Sequence, residues 1–151
     1  MNQFMQVAIK EARKGISKGH GGPFGAVIVK DGKIISKGHN HVVAHNDPTC
    51  HGEINAIRKA CKKLKTFDLS ECEIYTTGYP CPMCFGAILW ANIKKVYYGC
   101  NIDDTAVIGF RDKEFAKKNA ETKVEVCAEV NRLETLALYK EYQEINKKIQ
   151  Y

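Results

Sequence analysis

The sequence predicts an α/β domain in which helices cover both faces of a central sheet. Three observations predict it. A helical hydrophobic period runs through the first 16 residues, and two β-rich runs then meet at an Asp-Gly turn. Beyond them, segments of helix and strand character alternate up to about residue 100.

The elements follow in chain order. Over residues 4–16, Met5, Ala8, Ile9, Ala12 and Ile16 recur on one helical face, and Gly15 and Gly19 then loosen the chain. Residues 24–30 read as a strand, Asp31-Gly32 as a hairpin turn, and residues 33–39 as the returning strand. Asn46-Asp47-Pro48-Thr49 is loop chemistry, with Thr49 or a neighbour placed to cap a helix from about residue 50 to 64. Residues 73–77 form another short strand. Pro82 suits the first turn of a helix that runs to about residue 91, because the N–H it lacks is one the helix leaves unpaired. Residues 95–99 return as a strand. The remaining segments read as a short helix over 110–119, a strand over 123–130 and a long terminal helix over 131–149.

Bulk composition narrows the classes. A chain of 151 residues with 44% hydrophobic content, no repeat and no Pro/Gly/Ser-rich linker is expected to be one domain, 1–151. The N-terminus shows no basic leader followed by an apolar block. The longest apolar stretches, near residues 26–29 and 85–91, are far too short to span a bilayer. A soluble, cytoplasmic protein with no membrane partner is expected. Seven cysteines are an odd number, so a complete disulfide framework is excluded, and only Cys81 and Cys84 have metal-ligand spacing. The net charge of +6 is mostly scattered, with one dense run, Arg58-Lys59-Ala60-Cys61-Lys62-Lys63-Leu64-Lys65. At helical spacing that run is a solvated face around Ile57, Cys61 and Leu64. No aromatics interleave it as a base-stacking surface requires, so a nucleic-acid partner is disfavoured.

The chemistry concentrates in His51-Gly52-Glu53 and Pro80-Cys81-Pro82-Met83-Cys84. A catalytic zinc takes three protein ligands and keeps one position open; one imidazole and two thiolates meet that need. Cys-x-x-Cys at a helix start puts both sulfurs on one side of the first turn, where unpaired N–H groups and the helix dipole favour thiolate. His51 sits at the start of the other helix, so two helix N-termini can converge on one Zn²⁺. The fourth position is expected to hold water or hydroxide. Glu53, two residues from His51, is placed to carry the proton without being a ligand. This is the H-x-E … P-C-x-x-C pattern of zinc deaminases acting on bases. A redox Cys-x-x-Cys pair does not require His-x-Glu upstream. A closed structural zinc site would need a fourth ligand such as Cys50 or Cys100, and neither has paired spacing.

The runs Gly21-Gly22-Pro23-Phe24-Gly25-Ala26-Val27-Ile28-Val29 and Asn46-Asp47-Pro48-Thr49-Cys50-His51-Gly52-Glu53 resemble bacterial guanine deaminases of the cytidine-deaminase-like superfamily. The resemblance extends through Ala56 to Cys61, Pro80 to Cys84 and Gly86-Ala87-Ile88. It covers roughly residues 1–115 closely and the final third loosely, with the tail Asn146-Lys147-Lys148 and Tyr151 similar too. It implies a three-layer α-β-α fold with a five-stranded mixed sheet, one Zn²⁺ per subunit, and a homodimer whose C-terminal segment, about 120–151, is exchanged between subunits. The substrate it implies is a small purine base, guanine, converted to xanthine and ammonia. By the same resemblance Asn40 hydrogen-bonds the purine and Phe24 packs against it. Gly109-Phe110-Arg111-Asp112 supplies Phe110 to the substrate and Asp112 to orient the amine or relay a proton, while terminal Tyr151 closes the partner's pocket.

Two positions depart from the pattern. Gly52 stands where many relatives carry alanine, and Tyr79 where many carry glutamate before Pro-Cys. Neither is a ligand position, so zinc binding is expected to survive, and the pocket wall is where a difference would tell. The competing readings are a tRNA adenosine deaminase, a deaminase of cytosine, cytidine or another aminated heterocycle, and a non-catalytic zinc module with a closed coordination sphere.

Overall fold

A computed structural model of the chain describes residues 2–118, 124–147, 149 and 150. It falls into two compact units, Met1–Lys118 and Asn119–Tyr151. The first begins with α1 (Gln3–Ser17), whose N-cap Asn2 accepts hydrogen bonds from the backbone N–H groups of Phe4 and Met5. Strands β1 (Gly25–Lys30) and β2 (Lys33–His39) follow, joined by Asp31 and Gly32, both at positive φ as a tight hairpin turn demands. A single turn, α2 (Val42–His45), leads to α3 (Gly52–Leu64). Then come β3 (Cys72–Gly78), α4 (Pro82–Trp90), β4 (Val96–Cys100), α5 (Ile102–Val107) and α6 (Asp112–Phe115).

The sheet has the order β2-β1-β3-β4. β1 pairs antiparallel with both β2 and β3, while β3 and β4 run parallel, so the sheet is mixed. A parallel pair cannot be joined by a hairpin, and α4 supplies the crossover between β3 and β4. β1 is central and covered on both faces, which is why it reads as a nearly unbroken apolar run. Its side chains alternate. Ala26 and Ile28 join Ala56, Ala60, Ile74 and Ile88 in one core under α3 and α4, whereas Val27 and Val29 join Ala8 and Tyr75 under α1. Helices therefore flank both faces, as the sequence predicts.

Ile28 is fully buried at the centre of the larger core. Replacing it with Ala removes packed volume from a site walled by two helices and three strands. The expected cost is about 3 kcal/mol, read as a lower urea midpoint at unchanged slope.

Several sequence expectations need correction. The sheet has four strands among the described residues, not five. The fifth, expected over 123–130, is absent at residues 124–129, where the backbone has no regular structure; Lys123 lies outside the described residues. Val124 and Val126 in this stretch are exposed. The helix expected over 110–119 is only the turn Asp112–Phe115, since Gly109 at φ 93° breaks the chain just before it. The terminal helix, α7, spans Arg132–Gln143 rather than 131–149. Thr49 does not cap α3: its N–H and hydroxyl both bind the Asp47 carboxylate, and His51 takes the cap position. Helices α2 and α5 were not anticipated; α5 starts at an Asn101/Asp104 capping box.

Candidate active site

Two helix N-termini and the ends of the central strands converge on one cavity of ≈ 620 Å³. His51 is the N-cap residue of α3 and Cys81 that of α4, with Cys84 on the first turn of α4. The His51 side chain makes no capping bond to α3, and the Cys81 sulfur meets Cys84 on the first turn of α4. Pro82 opens α4 as expected.

His51 Nδ1 lies 3.6 Å from Cys81 Sγ and 3.5 Å from Cys84 Sγ, and the three donor atoms all lie within 4.8 Å of one another. Tetrahedral zinc, with bonds of about 2.0–2.1 Å to nitrogen and 2.3 Å to sulfur, sets its nitrogen and sulfur ligands roughly 3.6 Å apart. The donor set and its spacing therefore fit zinc. The thiols divide their protons unevenly. The Cys84 thiol beside it, and then His51, pull Cys81 down to about 4 against the effect of burial. Cys84 is pushed up, by the Cys81 sulfur first and by burial next. A divalent cation held here by His51, Cys81 and Cys84 would favour both cysteines as thiolates, because a coordinating thiol is deprotonated.

Glu53 is buried one residue into α3 and faces the cavity. Burial is the main reason its carboxyl sits above the ordinary glutamate value. The Thr76 hydroxyl, which donates to the Gly78 carbonyl at 2.7 Å, lies 3.4 Å from Glu53 Oε1. Asp112 also faces the cavity, raised by burial first and by Cys81 next.

The apolar wall is built by Phe24 and Phe110, whose rings meet edge to face with centroids 4.8 Å apart. Gly22 makes room for both: an added Cβ would stand 2.7 Å from Phe110 and 2.8 Å from Phe24. Asn40 is buried at the rim, its Oδ1 accepting the Val42 N–H at 3.0 Å, which fixes the orientation of the amide. Gly52 has a local reason too. A Cβ there would press within 2.9 Å of the Phe24 carbonyl oxygen, so glycine lets α3 start close against β1. Tyr79 lines the cavity without approaching the thiolates as a ligand, its ring meeting Tyr98 edge to face at 5.1 Å.

Of the sequence-predicted residues, His51, Glu53, Cys81, Cys84, Asn40, Phe24, Phe110 and Asp112 line or adjoin this one cavity. Tyr151 lies outside the described residues. Sequence reasoning missed Thr76 and the wall residues Val42, Val43, Met83 and Phe115. Only the burial of alternate positions in a strand could have pointed to Thr76, and nothing marked the short α2 turn that carries Val42 and Val43.

Residues 1–100 match the family model of the cytidine and deoxycytidylate deaminase zinc-binding region. The chain belongs to this family. Within it, the chain is 44% identical over 151 residues to the guanine deaminase of Bacillus subtilis strain 168, covering 98% of this chain and 97% of that protein. An X-ray structure of guanine deaminase from Bacillus subtilis superposes with a TM-score of 0.91 at 43% identity, covering 100% of this chain and 99% of that one. A tRNA-specific adenosine deaminase of Aquifex aeolicus strain VF5 is 47% identical over 95 residues, covering 63% of this chain and 62% of that protein. The family's zinc-binding region and the His/Cys donor set together support zinc as the metal. Among the described residues no helix is long and apolar enough to cross a membrane.

Proposed function

We propose that the chain is a zinc-dependent hydrolytic deaminase that converts guanine and water to xanthine and ammonia. The observation that carries the reading is the juxtaposition of a His51/Cys81/Cys84 donor set with a buried, non-ligating Glu53 in one aromatic-walled cavity. The near full-length likeness to a guanine deaminase selects the substrate. Zinc held by His51, Cys81 and Cys84 would supply a Lewis acid that lowers the pKa of water toward neutrality. Glu53 takes one proton from water and hands it to the ring nitrogen as the carbon–oxygen bond forms, then takes the second from the new hydroxyl and hands it to the amine, which leaves as ammonia while the carbonyl forms. The carbon–nitrogen bond breaks, a carbon–oxygen bond replaces it, and one water is consumed for each ammonia released. Phe24 and Phe110 hold the purine plane, Asn40 hydrogen-bonds its edge, and Asp112 orients the amine or relays a proton.

The same proposal takes the whole chain, 1–151, as one deaminase domain working in the cytoplasm as a homodimer. The segment from about residue 120 crosses to the partner, and Tyr151 closes the partner's pocket. A stripe of exposed apolar side chains on α7, Leu133, Leu136 and Tyr139, supports a buried role for that helix in the assembly. The 47% identity to a tRNA-specific adenosine deaminase sustains a second reading, but that likeness stops at about two-thirds of either chain. An ammonia-release screen across guanine, guanosine, adenine, cytosine and cytidine, with inosine formation in tRNA measured alongside, separates the two. Turnover of guanine alone is expected; inosine formation without guanine turnover overturns the substrate assignment.

A further inference from the structure

A second set of metal-type donors stands outside the candidate active site. The ligand nitrogens of His20, His39 and His41 lie within 4.8 Å of one another. They come from three places: the loop after α1, the last residue of β2 and the N-cap of α2. Their rings stack, His39 on His41 with centroids 4.1 Å apart and His20 on His41 at 4.7 Å.

The outer partners set the lone pairs of these rings. His39 Nδ1 lies 3.1 Å from the carboxylate of Glu11, so Nδ1 carries the proton and Nε2 is free to accept. His41 Nδ1 lies 2.8 Å from the His39 carbonyl oxygen, which likewise assigns its proton to Nδ1 and its lone pair to Nε2. Metal-ligating histidines characteristically donate their other nitrogen to a carboxylate or a backbone carbonyl in this way. His39 Nε2 then faces His20 Nδ1 at 2.9 Å. Two imidazole nitrogens on one ion, each about 2.1 Å from it, stand roughly 3.0–3.4 Å apart. Because imidazole lone pairs lie in the ring plane, admitting an ion requires His20 and His39 to swing out of their head-on contact and His41 to turn out of its stack on His39. Glu11, buried behind His39 and paired with Lys37 at 3.4 Å, adds negative charge at the back of the group.

We propose that His20, His39 and His41 form a second metal site, distinct from the His51/Cys81/Cys84 centre, that takes a late first-row divalent cation such as zinc. Three imidazole nitrogens without a thiolate suit zinc, nickel or copper rather than magnesium or calcium. The site holds its ion less tightly than the thiolate centre, because no ligand in it is an anion. Its ligands are chain neighbours of Gly21 and Asn40, which line the catalytic cavity, so an ion here braces the cavity rim from behind.

Without an ion, the 2.9 Å contact is a hydrogen bond from His20 to His39, and the test separates the two. Tag-free full-length protein is dialysed to equilibrium against micromolar zinc and its metal content is measured by plasma mass spectrometry. Wild type is expected to carry two zinc ions per chain, and His20→Ala and His41→Ala one each. Wild type that stops at one ion, or variants that match wild type, overturn the proposal. Nitrogen-15 spectra of wild-type imidazoles supply a readout that needs no variant. The second equivalent of zinc should shift the rings of His20, His39 and His41, and a second equivalent that leaves all three unmoved overturns it as well.

Discussion

Glu53→Gln is expected to lower kcat by roughly 10²–10⁴-fold, the range for loss of a positioned proton carrier, while bound zinc at the His51 centre stays unchanged. Gln keeps the size and one carbonyl oxygen of Glu but cannot accept and return a proton. The fold should not suffer. Burial already pushes the Glu53 carboxyl toward its neutral form, so an uncharged side chain fits the same environment, with Thr76 Oγ1 still beside it. The thermal midpoint should therefore stay level or rise slightly. Steady-state ammonia release, metal content and calorimetry on one preparation check all three expectations. Undiminished turnover would remove Glu53 from the reaction, and loss of zinc would mean that it supports the metal instead.

How much of this was legible in the sequence depended on spacing. His51 and Glu53 are two residues apart, and Cys81 and Cys84 are three apart. Each pair lies within one helical turn, so local geometry alone made both readable. That the two pairs meet depends on β3 and α4 returning the chain to the N-terminus of α3, which the alternation of elements implied without dictating. The strand expected over 123–130 has no place in the four-stranded sheet among the described residues, since a short β-rich run is a strand only where the fold brings a sheet edge to it. The short α2 turn carries no periodicity of its own; its Asn40 side chain and the His20 carbonyl receive its first backbone N–H groups. The histidine group was invisible for a similar reason. His20 is nineteen residues from His39 along the chain, and each ring alone is an ordinary polar residue near a strand end. Only the packing of α1 against the sheet brings Glu11 behind His39 and makes the three rings a set.

Stripping the ion from the His51/Cys81/Cys84 centre is expected to abolish turnover and to lower the thermal midpoint by about 10 °C. The estimate takes zinc at 1,000 times its dissociation constant, worth about 4 kcal/mol, with each kcal/mol shifting a domain of this size by roughly 2–4 °C. The structural reason lies at the two helix starts. His51 occupies the N-cap of α3 without capping it, Cys81 stands at the N-cap of α4, and Cys84 is wholly buried, so the three donor groups face one another across the two helix starts. Without a cation, Cys84 holds its proton beside the Cys81 sulfur, and α3 and α4 lose the cross-link that joins their N-termini. Cys84→Ser should reproduce the chelated state even with zinc present, since a serine hydroxyl does not ionise to replace a soft thiolate. Calorimetry with and without chelator, followed by zinc add-back, measures the effect. Add-back should restore both midpoint and turnover in wild type and neither in Cys84→Ser. A chelated wild type that melts where the loaded protein does would show that the two helix ends are held by packing alone.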